Sequence, residues 1–254
     1  MLKDFTQERF DILIQAGQSN ASGNGFGPTD VPYVSDGRIW YLNRNNTISL
    51  AAEYARGNSV QSNFALSFSK KYIEAGCLDE GRKILILRAA LGGTGFLNNR
   101  WGLTDDLYLH MMEMIRTALS LNPENRLVAL LWHQGEADAL QQASFDVHYK
   151  HLNDLLQSVR STFAVPTLPF VAGDFVQQWK EEKAEICAPV IDAIRAVCRD
   201  CGFGAFVETD GLTSNAQEHN ETPTGEKEDR VHFSRRAIYE LGCRYFEKYT
   251  EIVG

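Results

Sequence analysis

Phe10-Asp11-Ile12-Leu13-Ile14-Gln15-Ala16-Gly17-Gln18-Ser19-Asn20 is the stretch on which the reading of the fold turns. Residues 10–16 are mostly aliphatic and stop at a glycine, the pattern of a buried strand that ends in a tight turn. Loops just past the C-terminal ends of such strands are where open α/β sheets assemble their sites. Ser19 therefore stands where a nucleophile would be presented. A serine that merely caps or turns the chain looks the same locally, so partners must be sought elsewhere.

Two more apolar runs end in the same way. Residues 83–88 lead into Ala89-Ala90-Leu91-Gly92-Gly93-Thr94-Gly95, where paired glycines let backbone N–H groups approach a substrate closely. Neither a Lys-Ser or Lys-Thr pair nor a Gly-x-Gly-x-x-Gly run accompanies them, which argues against a phosphate loop. Residues 127–132 open into His133-Gln134-Gly135-Glu136-Ala137-Asp138. The Gln134 amide suits a developing oxyanion, because it donates without carrying charge. Glu136 and Asp138 also admit a glycosidase reading, although two residues on a loop fix no carboxylate separation, and their plain role is to hold the loop by accepting backbone N–H bonds. Near the other end of the chain, Asp229-Arg230-Val231-His232-Phe233-Ser234 sets an acid and an imidazole three residues apart. On one helical turn they would meet, Asp229 holding Nδ1–H so that Nε2 of His232 is free to take the Ser19 proton. Capping of the last helix by Asp229 and Ser234 is the plain alternative.

Apolar runs and amphipathic stretches alternate throughout. Strands are expected at 10–16, 39–42, 83–89, 126–132, 168–173 and 204–208, and helices at 62–75, 104–121, 144–163, 180–200 and 234–250. That alternation predicts an α/β fold, a three-layer sandwich with a mainly parallel central sheet.

Gly17-Gln18-Ser19-Asn20, Gly92-Gly93-Thr94, Trp132-His133-Gln134-Gly135-Glu136 and Asp229-x-x-His232 occur in one order and span most of the chain. Together they resemble the four blocks of the SGNH hydrolases, in the carbohydrate-esterase branch that includes sialate O-acetylesterases and plant-type acetylxylan esterases. The resemblance implies a flavodoxin-like sheet and a Ser–His–Asp esterase that removes acetyl groups from sugar hydroxyls through an acyl-enzyme, with no metal or cofactor. Carried over by position, Ser19 is the nucleophile, His232 the base and Asp229 the orienting carboxylate. Backbone N–H groups of Ser19 and Gly93 and the side chain of Gln134 would form the oxyanion hole. Gln18, Asn20, Gly92, Thr94, His133 and Glu136 would bind substrate or support the site. The wider superfamily usually offers asparagine in its third block, whereas glutamine stands here, as in the carbohydrate-esterase branch. An ordinary α/β-hydrolase would carry Gly-x-Ser-x-Gly, where this chain has Ala21, and an acid well upstream of the histidine. Other SGNH esterases acting on lipid or thioester, and a sugar-binding protein with a decayed site, are the remaining readings.

The 254 residues are within reach of one α/β domain, and neither a repeat nor a linker suggests a second. A net charge of −8 without a basic run argues against nucleic acid. Neither an N-terminal leader pattern nor a membrane-length apolar run is present, so a cytoplasmic location is expected, and five cysteines fit a reducing compartment. Cys198-Arg199-Asp200-Cys201 reads as packing, and His148 and His151 as an exposed helix face. Trp40 and Trp101 have the build to stack on a sugar, with core packing as the commoner fate. The polar segment 213–228 should be a surface loop beside the site.

Overall fold

The computed structural model of the chain describes residues 4–30, 32–57 and 59–254. Met1, Leu2 and Lys3, which open the stretch read above for a leader, lie outside the described residues. In chain order the elements are β1 (Arg9–Gly17), α1 (Ser19–Ser22), β2 (Ile39–Leu42), β3 (Ile48–Leu50), β4 (Tyr54–Arg56), β5 (Ser59–Gln61) and α2 (Phe64–Glu74). They continue with β6 (Arg82–Arg88), α3 (Asp106–Ser120), β7 (Arg126–His133), α4 (Glu136–Leu140), α5 (Phe145–Thr162) and β8 (Phe170–Gly173). Last come α6 (Gln177–Glu182), α7 (Ala184–Asp200), β9 (Gly204–Val207) and α8 (Arg235–Val253).

Seven strands form the central sheet in the order β3-β2-β6-β1-β7-β8-β9, and every pairing except β2 with β3 is parallel. β1 lies in the middle, with β6 on one side and β7 on the other. That position explains why residues 10–17 are all buried: both faces of a parallel strand are covered by helices. Two polar side chains on β1 escape the apolar rule because each finds partners. Asp11 accepts from Arg82 Nε and Arg126 Nε, each at 2.7 Å, and from Tyr72 OH at 2.8 Å. Gln15 Nε2 donates to Ala21 O at 2.5 Å and to Asn63 Oδ1 at 3.1 Å.

α2 and α8 pack against each other, with Phe64 stacked on Tyr245 at 4.5 Å, while α5 packs on α7 and is tied to α3 by Tyr108 OH and Ser158 Oγ at 2.6 Å. α7 shows why its sequence is helical here. Cys187, Val190, Ile191, Ile194, Val197 and Cys198 recur at three- and four-residue spacing and form its buried stripe. Polar N-caps start three of the longer helices: Asn63 accepts from Ala65 N, Ser144 from Val147 N and Ser234 from Ala237 N.

All six expected strands and all five expected helical regions are found, with ends shifted by a few residues. The expected helix at 180–200 is divided at Lys183 into α6 and α7. The short elements β3, β4, β5, α1 and α4 carry too few residues for a periodic signal and were not anticipated.

Candidate active site

β1, β6 and β7 are adjacent and parallel, so their C-terminal ends deliver three loops to one place. From β1 the chain fills one side of the sheet, up to β6, and then crosses to β7 on the other, and that reversal of strand order opens the crevice in which such folds bind ligands. Gly17 makes the close approach. Its φ is +127°, and a Cβ on it would lie 2.1 Å from His133 O. Gln18 N donates to that same carbonyl at 3.0 Å, and Leu91 N donates to Gly17 O at 3.1 Å, stitching the three loop starts together.

The cavity above them, about 560 Å³, is lined by Ser19, Gly92 and Gly93 with Gln18, Asn24 and Asn98, and by Glu136, Val231 and His232. Ser19 is the first residue of α1, and its N–H, like those of Gly92 and Gly93, makes no hydrogen bond among the described residues. Gly93 has φ +71° with open space around it, a backbone that favours glycine.

His232 Nδ1 lies 2.8 Å from Asp229 Oδ1 and 3.0 Å from Oδ2, and the His232 N–H reaches Oδ1 at 3.3 Å. The pair meets in the turn before α8 rather than on a helical turn, because α8 begins only at Arg235. Asn215 Nδ2 donates to Asp229 Oδ2 at 2.9 Å and to Asn24 O at 2.9 Å. Burial works to raise the Asp229 pKa, but the His232 ring and the Asn215 amide outweigh it and hold the carboxyl below its ordinary value. With Nδ1–H on the carboxylate, Nε2 is an acceptor, and Asn24 Nδ2 stands 3.3 Å from it. None of the hydrogen bonds among the described residues joins Ser19 Oγ to His232, although both side chains line the same cavity. Such contacts are commonly loose until substrate arrives.

Asn20 fastens the Ser19 loop to the His232 loop. Its Nδ2 donates to Glu136 Oε1 at 2.8 Å and to Val231 O at 2.9 Å, and its Oδ1 accepts from Phe233 N at 3.2 Å. Burial raises the Glu136 pKa, only partly offset by the Asn20 bond, and Oε2 is buried without a partner. Gln18 Oε1 accepts from Ala137 N at 3.1 Å.

Two expectations change, those for Gln134 and His148, while His133 and Thr94 are left with support of the site from behind its wall. Gln134 is fully buried beneath the cavity wall, and its Nε2 donates to Asp138 Oδ2 at 2.8 Å, so its amide is not on the wall where a third oxyanion donor is needed. Other side-chain amides do line the wall, and that of Asn98, on the glycine loop, donates to Gly93 O at 3.0 Å and accepts from Gly95 N at 2.8 Å. His133 touches no part of the cavity: its Nδ1 is 3.0 Å from Tyr245 OH, and burial alone depresses its pKa to about 3. Thr94 is also behind the wall, accepting from Trp101 Nε1 at 3.0 Å and donating to Leu91 O at 2.7 Å, which makes Trp101 a core residue rather than a sugar platform. His148 is buried rather than exposed, packed edge-on against Phe96 with Nδ1 3.4 Å from Asp138 Oδ2.

Asp138 is a brace that accepts backbone N–H bonds, although which N–H groups it meets carries no spacing signal in the sequence. It accepts from Phe96 N at 3.1 Å, Leu97 N at 2.8 Å and Gln134 Nε2 at 2.8 Å, and so ties the glycine loop to the loop after β7. A Cβ on Gly95 would lie 2.5 Å from Asp138 Oδ1, which explains the third glycine of the run. Asn24, Asn98 and Asn215 were missed for the same reason: isolated asparagines in loops carry no spacing signal. Among the described residues, no group of three or more His, Cys, Asp or Glu is arranged to hold a metal ion, all five cysteines are free, and no helix is long and apolar enough to cross a membrane.

Comparison with known proteins agrees with this architecture. NanS, of known structure, superposes with a TM-score of 0.81 at 19% identity, covering 96% of this chain and 97% of that one. A protein of Arabidopsis thaliana gives 0.70 at 18% identity over 95% and 98% of the two chains. A carbohydrate acetylesterase from Xanthomonas citri gives 0.59 at 14% identity over 95% and 56%. At these identities the likeness concerns the fold. In sequence, a probable 9-O-acetyl-N-acetylneuraminic acid deacetylase of Escherichia coli (strain K12) is 30% identical over 90 residues, 32% of this chain. The match spans about a quarter of that relative's length, 27%. Residues 9–251 match the family described as carbohydrate esterase, sialic acid-specific acetylesterase, and the chain belongs to that family.

Proposed function

We propose that this chain is a serine O-acetylesterase that removes acetyl groups from carbohydrate hydroxyls, with acetylated sialic acid as the substrate. The observation that carries this reading is the Asp229–His232 pair, 2.8 Å apart, on one cavity with Ser19 and two glycines whose N–H groups are unengaged. Ser19 Oγ attacks the acetyl carbonyl carbon while His232 Nε2 takes its proton. Asp229 holds the imidazole by Nδ1–H and stabilises the imidazolium. The tetrahedral oxyanion is met by the N–H groups of Ser19 and Gly93, with the Asn98 amide beside them. His232 then protonates the departing sugar oxygen, leaving an acetyl ester on Ser19. Water, deprotonated by His232, releases acetate and restores the serine.

Acetate release from acetylated N-acetylneuraminic acid, acetylated xylo-oligosaccharides and p-nitrophenyl acetate tests the reading. Ser19→Ala and His232→Ala should each lower kcat by roughly 10³-fold or more, because triad members act as one unit. Wild-type kcat/KM in either variant would end the assignment. Labelling by a serine-reactive phosphonate at any serine other than Ser19 would do the same.

A further inference from the structure

A second, smaller cavity of about 170 Å³ adjoins the catalytic one, and the two share Asn24 and His232. Its outer wall holds Arg56, facing a segment that includes Thr222, Thr224 and Glu226. Among the described residues Arg56 is the one lysine or arginine lining either cavity, and its guanidinium makes no hydrogen bond or ion pair. The chain carries 33 acidic against 25 basic residues, so a cation left without a carboxylate beside a catalytic cleft asks for an explanation.

The hairpin that carries Arg56 is fastened. Tyr54 stacks on Tyr41 at 6.2 Å, and the Arg88 guanidinium lies over both rings, at 5.1 and 4.8 Å. From β5, Gln61 Nε2 donates to Gly23 O and, at 3.0 Å, to Asn24 Oδ1, linking the hairpin to the residue that faces His232 Nε2. Arg56 pairs with Ser59 across the hairpin, so its place relative to the catalytic histidine is set by backbone register and not by a loose loop. Of the two carboxylates on this wall, Asp229 is already engaged by His232 and Asn215. Glu226 has no ion pair among the described residues and is the internal rival for Arg56.

We propose that this cavity is an anion subsite in which the Arg56 guanidinium grips the carboxylate of an acidic sugar while the sugar's acetyl ester lies at Ser19. The inference rests on the acetylesterase reading and adds to it a residue that discriminates acidic from neutral sugars. A guanidinium is suited to the task, since its planar fork meets both oxygens of a carboxylate and a neutral hexose or pentose offers nothing equivalent.

Two measurements test it. The first compares kcat/KM for O-acetylated N-acetylneuraminic acid with that for its methyl ester, in which the carboxylate charge is gone. Arg56→Ala should lower the acid-to-ester ratio by about 10- to 100-fold, the range expected for a hydrogen-bonded charge pair, and Arg56→Lys by less, because it keeps charge without the fork. Glu226→Gln should raise the ratio. A loss shared equally by acid and ester, or none, overturns the subsite while leaving the esterase reading intact. The second measures inhibition of p-nitrophenyl acetate hydrolysis by free N-acetylneuraminic acid and by its methyl ester, which needs no sialate turnover. If acetylated sialic acid is not hydrolysed, the substrate assignment fails. In that event, stronger inhibition by the acid that vanishes in Arg56→Ala upholds the subsite, and equal inhibition by acid and ester rejects it.

Discussion

Replacing Asp138 with alanine should damage this site from behind, without touching any residue on the cavity wall. The carboxylate accepts three hydrogen bonds, from Phe96 N, Leu97 N and Gln134 Nε2, at 3.1, 2.8 and 2.8 Å, and it is fully buried. Alanine leaves those three donors without an acceptor. Each buried, unsatisfied donor costs about 1–3 kcal/mol, and with some relaxation toward the cavity the total should be about 3–5 kcal/mol. Against a typical domain stability of about 5–15 kcal/mol, that is a large share. Asp138→Asn keeps one acceptor oxygen but turns an NH₂ toward a donor, so roughly half the loss is expected. Gly95→Ala presses a Cβ onto the same carboxylate from the other side. Catalysis should suffer as well, because the glycine loop carrying Gly93 loses its anchor, and a displacement near 1 Å costs on the order of 10²-fold. The assays are urea unfolding and kcat/KM for p-nitrophenyl acetate on Asp138→Ala, Asp138→Asn and Gly95→Ala. Stability within about 1 kcal/mol of wild type, together with kcat/KM within about twofold, would refute the reasoning, because those donors would then have found other partners.

Asp229→Asn should retain the fold and lose about 10³- to 10⁴-fold in kcat, since a carboxamide NH₂ facing Nδ1 moves the imidazole proton to Nε2, where it cannot accept from Ser19; a loss below tenfold would show that Asp229 does not set the tautomer. Asp138 and Asp229 both have lowered pKa values, so the stability they contribute is present at neutral pH and disappears as pH falls below the ordinary carboxylate range. Glu136, whose pKa is raised by burial, acts in the opposite sense: its contribution is full in mild acid and is lost as pH rises through the raised value. Glu136→Gln should therefore remove that loss from a Tm-against-pH curve, and an unchanged curve would count against the raised pKa. Asp11→Ala, at the opposite end of β1 from the site, leaves Arg82 buried without its carboxylate and should cost about 3–5 kcal/mol in urea unfolding with little change in KM.

The long elements were legible because each repeats a period over enough residues to be read. β1, β6 and β7 announce themselves as unbroken aliphatic runs, and α7 as a stripe at helical spacing. β4 and β5, three residues each, repeat nothing, yet their hairpin brings Arg56 to the base. Order along the chain was enough to bring forward Ser19, Gly92, Gly93, Asp229 and His232, which line or adjoin one cavity, because strand ends in a parallel sheet share an edge. The same order misled for Gln134, and for His133 it left cavity and core both open. Whether a polar side chain at a strand end faces the crevice or the core depends on which partner lies beneath it, and here Asp138 and Tyr245 are those partners.

What the sequence determined by itself was therefore the long strands and helices, from local hydrophobic period, and, through the family resemblance of four blocks in order, the residues proposed for the chemistry. What only the tertiary structure decided was which amides reach the cavity, that Asp138 braces the glycine loop, that Asn215 and Asn24 flank the Asp229–His232 pair, and that Arg56, its guanidinium unpaired among the described residues, lines the adjoining cavity. Several of those contacts join residues far apart, Leu97 with Asp138 across 41 positions and Asn24 with His232 across 208, and no local pattern encodes a partner that far along the chain.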